Sequence, residues 1–260
     1  YHIPDSLEMQ WLALSLVSGL GYRSIQRLLD SGKTLADMLQ ATPGALIRDL
    51  GIKAELARKI SSAAHASGYL MEKRLLQESP EIRLYCPESE AYPLQLKEIE
   101  SPPGVLYWKG IEGLAEQPCL AFVGSRACSG YGLKHTKRLI HELAEAQPGL
   151  VIVSGMARGI DTVAHETALE AGLKTIAVLA GGLNHLYPPE NKHLATRIQK
   201  KGALITEFPM AVKPLAKHFP IRNRVISGLS LGVVVSEAGL KSRANITAAF
   251  ALQQNREVFA

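Results

Sequence analysis

The chain has 260 residues, 47% hydrophobic and 20% charged, with a net charge of +5; that supports a buried core and excludes a disordered tail. No apolar run reaches the roughly 18 residues a membrane span needs and no leader pattern is read, so a cytoplasmic protein without a membrane span is expected. Three cysteines, Cys86, Cys119 and Cys128, form no CxxC pair, which excludes a disulfide scaffold or zinc ribbon and favours a reducing compartment.

Residues 1–80 read as an all-helical N-terminal domain. Leu12, Leu16 and Leu20 are spaced by four, and Gly19-Leu20-Gly21 precedes a helix carrying Leu28 and Leu29. A weaker copy follows at Leu50-Gly51-Ile52 and Ala54 to Ala64. Two readings stay open: a helix-hairpin-helix pair offering backbone N–H groups to a phosphate, or a small helical bundle with glycine caps. Residues 81–117, rich in Pro and acidic side chains, read as a linker with short strands at Ile82–Tyr85 and Val105–Trp108.

From 118 to 260, continuous apolar runs alternate with helical patterns. The runs are Leu120–Val123, Leu150–Val153, Thr175–Leu179, Ala203–Thr206, Val233–Val235 and Val258–Phe259; the helices are expected near 130–146, 160–172, 190–200, 221–229 and 242–254. Such alternation predicts an α/β, Rossmann-like, doubly wound parallel sheet. Charge is segregated along the chain: residues 191–260 hold eleven Lys/Arg against three Asp/Glu, a net +8, while residues 81–190 net −4. A basic block of that kind suits a phosphate-rich partner, or serves as a solubilising surface.

Ligands of this fold bind beyond the carboxyl ends of the strands. Gly124-Ser125-Arg126 follows the first strand and leads into a helix, where glycine, unpaired N–H groups and a guanidinium suit phosphate. The dinucleotide fingerprint G-x-G-x-x-G is absent, and Ser154 ends the second strand where a ribose-binding acid is expected, so a nicotinamide or flavin cofactor is disfavoured. After that strand, Gly155-Met156-Ala157-Arg158-Gly159-Ile160-Asp161 opens another helix. Asp161 and His165 share a helix face, as an acid/base pair or as a helix-start carboxylate beside a packed histidine. The densest cluster runs from Lys213 to Arg224: Lys213, Lys217, Arg222 and Arg224 with His218 and Phe219. Cations interleaved with an aromatic suit single-stranded nucleic acid, charge for the backbone and a ring for a base.

These residues resemble the DprA (Smf) family of DNA-processing proteins. The resemblance rests on Ala121–Arg126, on Ser154–Asp161 with His165, on Thr175–Leu179, Tyr187-Pro188 and Glu207-Phe208-Pro209, and on Phe219–Ile226, in order over about half the chain. It implies a protein that binds single-stranded DNA without marked sequence preference, protects incoming DNA in natural transformation and helps load RecA recombinase. It further implies a homodimer, a link to single-strand-binding protein, no enzymatic activity and neither cofactor nor metal. DNA contact is thereby carried onto Gly124, Ser125, Arg126, Lys217, Phe219, Arg222, Asn223 and Arg224, with Ser154, Gly155 and Arg158 on the same rim. Family members usually carry Ser-Gly-Ser-Leu at the last helix start, where this chain reads Ser242-Arg243-Ala244-Asn245. Many also continue into a winged-helix domain past the point where Phe259-Ala260 stands.

The rival reading is an enzyme, a Rossmann-like nucleotide hydrolase of the phosphoribohydrolase type. Its Pro-Gly-Gly-x-Gly-Thr loop is missing, Ser236-Glu237-Ala238-Gly239-Leu240 standing there with Glu237 as the available carboxylate. A third reading, a duplex binder using residues 19–29, requires a preference for double strands.

Overall fold

The computed structural model describes residues 4–239, 242 and 244–260, which gather into two units. The smaller holds the chain up to Tyr92 with Ser101–Leu106. It is helical: α1 (Leu7–Ser15), α2 (Tyr22–Asp30), α3 (Leu35–Gln40), α4 (Pro43–Leu50), α5 (Ala54–Ser61) and α6 (Ser67–Glu78), followed by β1 (Ile82–Tyr85). Side-chain caps start several of them. Ser6 accepts from Met9 N, Thr34 and Asp37 close a reciprocal capping box, and Thr42 accepts from Ala45 N with Pro43 at the first helical position. The leucine series runs past its helix: α1 ends at Ser15 and Leu16 caps it, yet Leu20 in the following turn stays buried. The core is built on Trp11, fully buried, whose indole N–H donates to the Glu88 carboxylate.

The larger unit holds Pro93–Glu100 and the chain from Tyr107 onward. Residues 81–117, read from sequence as a linker, therefore divide between the two units. After α7 (Leu94–Lys97) and β2 (Leu106–Gly110) the alternation begins: β3 (Cys119–Gly124), α8 (Gly130–Ala146), β4 (Val151–Ser154), α9 (Ile160–Glu170), β5 (Lys174–Val178), α10 (Lys192–Lys201), β6 (Ala203–Thr206), α11 (His218–Gly228), β7 (Gly232–Glu237), α12 (Ala244–Gln253) and β8 (Glu257–Phe259). The strands lie in the order β2-β6-β5-β4-β3-β7-β8. The six from β3 to β8 are mutually parallel, as the continuous apolar runs predict, and β2 adds an antiparallel edge, Tyr107 opposite Thr206.

The core between sheet and helices centres on Phe122, Ile140, Ile152, Ala164, Ala168 and Val234. Small residues on α9 let that helix settle onto β3, β4 and β5. The chain winds outward from β3 through β4, β5 and β6, then crosses back to place β7 on the other side of β3. That reversal opens a crevice beyond the carboxyl ends of β3 and β7, the position where α/β sheets hold ligands. A register shift between Val123 and Gly124, with Gly124 opposite Glu237 and Ser236 as the extra residue, bulges β7 where it enters the crevice. Among the described residues, no helix is long and apolar enough to cross a membrane.

Candidate functional site

The crevice is a cleft of about 460 Å³ lined by Gly124, Ser125 and Arg126 after β3, Ala157 and Asp161 at the start of α9, Phe219, Arg222, Asn223 and Ile226 on α11, and Gly239, Ser242, Ala244 and Thr247 around the start of α12. Its floor is set by close backbone approach. Ser125 N donates to Glu237 O at 2.7 Å, and Ser125 O accepts from Ile160 N at 3.2 Å, tying the β3 turn to β7 and α9. Gly159 has φ +75°, and a Cβ there would stand 2.2 Å from Ser125 O, so only glycine lets the two turns meet.

Arg222 is the anchor. It is 3% exposed, and its Nη1 donates to Gly155 O at 2.6 Å and also to Val178 O, while Nε donates to Asn223 Oδ1 at 3.2 Å. A Cβ on Gly155 would meet that guanidinium at 2.3 Å, so the glycine makes room for it. Burial, with Arg126 adding to it and Asp161 opposing it, brings Arg222 down to about 10, so the group remains cationic at neutral pH. Asp161 is buried beside it; burial raises its carboxyl, and Arg222 and the N–H of Ala157, which donates to Oδ2 at 3.3 Å, work against that rise.

Two cations lie against the Phe219 ring. The Arg126 guanidinium lies over the ring 4.9 Å from the centroid and that of Arg222 at 5.7 Å. Arg126 is exposed, whereas Phe219 is half-buried. The arrangement places a buried charge deep in the cleft and an exposed charge at its mouth, both against one aromatic ring.

Six residues expected from sequence thus converge on one cleft: Gly124, Ser125, Arg126, Phe219, Arg222 and Asn223. The other five stand elsewhere. Ser154 is fully buried and donates to Phe122 O at 2.6 Å, joining β4 to β3. Gly155 lines a small hollow next to the cleft. Arg158 is paired with Glu190 on the surface, and Arg224 is paired with Glu207 at 2.6 Å, both side chains largely buried. Lys217 is an exposed residue at the cap position of α11, which begins at His218, earlier than the helical pattern suggests.

Sequence reading missed Ala157, Gly239, Ser242, Ala244 and Thr247 as lining residues. The only signal was the helix start after β7, where small residues allow approach; Arg243, singled out there, lies outside the described residues. Glu237, weighed as a catalytic carboxylate, accepts from Ser129 Oγ at 2.8 Å and Ser129 N at 3.0 Å, bracing the start of α8. Asp161 and His165 do different things. His165 turns into the core, its Nδ1 2.7 Å from Thr175 Oγ1, which itself donates to Ile152 O. Thr175 therefore accepts, and the proton sits on Nδ1. Burial, then Arg222, pulls His165 down to about 3, so it is neutral. The three cysteines are free thiols, with burial pushing Cys119 up to about 12.

A family model described as DNA recombination-mediator protein A matches residues 83–260. Protein Smf of Synechocystis is 36% identical over 98% of this chain, which spans 64% of that protein's length, just under two thirds. The X-ray structure of DNA processing protein A from Streptococcus pneumoniae superposes with a TM-score of 0.82 at 34% identity, covering 98% of this chain and 86% of that one. DNA processing protein A of Helicobacter pylori, described for its single-stranded DNA binding mode, superposes with a TM-score of 0.62 at 31% identity, over 68% of this chain and 79% of that one.

Proposed function

Because the chain belongs to the DNA recombination-mediator protein A family, we propose that its larger unit binds single-stranded DNA in the cleft beyond β3 and β7. The observation that carries this reading is the Arg126–Phe219–Arg222 arrangement. A single strand offers phosphates and unpaired base faces, and the cleft mouth supplies a cation and a ring for them; a duplex keeps its base faces inside its own stack. Gly124, Ser125, Arg126, Phe219 and Asn223 make contact. Arg222 adds buried positive charge and fixes the ring. Lys217, Arg158 and Arg224 act from the periphery, and Ser154 and Gly155 shape the backbone behind the cleft. Since phosphates and ring faces are common to all nucleotides, sequence preference is weak.

The relative from Helicobacter pylori supports the strand type, and the family description supports the role of recombination mediator. On this reading the protein is a cytoplasmic homodimer that acts by binding rather than by catalysis. It protects DNA entering during natural transformation, works beside single-strand-binding protein and helps load RecA. Two clefts in a dimer hold one strand at raised effective concentration.

Anisotropy of labelled oligo-dT, with matched duplex as competitor, tests the reading. Binding that duplex does not displace, and that Arg126→Ala weakens about tenfold alike on oligo-dT and mixed sequences, is expected. Equal binding to duplex, or an Arg126→Ala variant indistinguishable from the parent, would overturn it.

A further inference from the structure

Beside the cleft, the row of cation and ring continues. Tyr187, in the loop after β5, is 37% exposed, and its ring stands edge-on to Phe219, centroids 5.9 Å apart and planes inclined at 76°. The Arg158 guanidinium lies over Tyr187, 5.8 Å from its centroid, and Glu190 pairs with that guanidinium. Phe219 and Tyr187, with Gly155, His185 and Pro214, line the small hollow next to the cleft. The surface order is therefore Arg126, Phe219, Tyr187, Arg158: two rings flanked by two exposed cations.

We propose that Tyr187 is a second base platform and that the angle between the two rings sets a preference for strands that unstack easily. The inference rests on the single-strand reading above. Bases lying flat on both rings are inclined to each other by the 76° of the rings themselves, so they are no longer stacked together. The 5.9 Å between ring centres also exceeds the ~3.4 Å between neighbours in a stacked strand. Engaging both platforms thus opens the strand at that step, which costs more in a purine run, whose bases stack strongly, than in a thymine run. Arg158 then serves two ends: it holds the Tyr187 ring in place and meets the phosphate that leaves the second base.

The test compares oligo-dT with oligo-dA by anisotropy for the parent, Tyr187→Ala and Tyr187→Phe. The expected outcome is a parent that favours oligo-dT. Tyr187→Ala loses about fivefold or more on oligo-dT, narrows the difference between the two strands and keeps the salt slope, and Tyr187→Phe behaves as the parent. A Tyr187→Trp variant gives an independent readout. Trp11 and Trp108 are 0% and 2% exposed, so the added indole reports from the surface, and its emission is quenched when a base stacks on it. The inference falls if Tyr187→Ala binds oligo-dT as the parent does while Arg126→Ala does not, or if the Tyr187→Trp emission ignores bound DNA. A parent that fails to bind oligo-dT overturns the single-strand reading and this inference with it.

Discussion

Arg222 shows how a charge becomes structural. Sequence placed it in a basic cluster and assigned it to phosphate, but its guanidinium donates to the carbonyls of Gly155 and Val178 at the ends of β4 and β5. Arg126, three strands away in sequence, keeps its charge exposed at the cleft mouth. The two arginines therefore answer differently to removal. Arg222→Met leaves two carbonyls without a donor and Asp161 buried without its compensating charge, and is expected to cost about 3–5 kcal/mol in urea unfolding. Adding Asp161→Asn to that variant recovers part of the loss, because no uncompensated carboxylate then remains; a double variant less stable than the single would contradict this account of the pair. Nothing in a one-dimensional cluster of cations separates the buried member from the exposed ones, because burial is decided by which strand ends the helix packs over.

At the scale of elements, α9 depends on a neutral His165. The helix lies on β3, β4 and β5, and His165 reaches from it into the sheet to meet Thr175. The imidazole sits at about 3 in the fold, against an ordinary value of 6.5. Above pH 6.5 it is neutral whether the chain is folded or unfolded, and its full contribution to stability is present. Below 6.5 the unfolded chain takes up a proton that the folded one refuses, so stability falls, by about 1.4 kcal/mol per pH unit, until the pH nears 3. Asp161, whose carboxyl is raised in the fold, works in the opposite direction in acid. The His165→Asn variant isolates the histidine: between pH 6.5 and 5 the parent is expected to lose about 2 kcal/mol more than the variant in denaturant titrations. Parallel pH profiles for the two would contradict the assignment. Periodicity showed α9 and the pairing of Asp161 with His165 on one face, but a four-residue spacing does not say that one side chain returns to its own turn while the other enters the core.

On the scale of the whole molecule, the net +8 of residues 191–260 is divided by folding. Arg222 is buried, Arg224 is paired with Glu207, and Lys213 and Lys217 remain exposed. Fewer cations meet a strand than the sequence count suggests. With about three phosphates neutralised, the logarithmic salt slope for single strands is about −2, and a fourfold rise in salt weakens binding about 20-fold. Anisotropy across a salt series checks this; a slope several times steeper would mean that the whole basic block, rather than the cleft, carries the strand.

The amino-acid sequence by itself determined the α/β alternation. Continuous apolar runs too short for helices, alternating with segments of helical periodicity, read as strands buried on both faces. It also marked the turn at Gly124-Ser125-Arg126 and the ring at Phe219, since glycine next to a cation at a strand end and an aromatic among cations are local patterns. Only the tertiary structure decided that β7 returns to lie beside β3, which brings Gly239, Ser242 and Thr247 to the same cleft as Arg126. It alone set Tyr187 beside Phe219, and turned Arg222, Arg224 and Glu237 to partners inside the protein. Those outcomes depend on strand order and on close approach between segments far apart in the chain, and spacing along one segment carries no record of either.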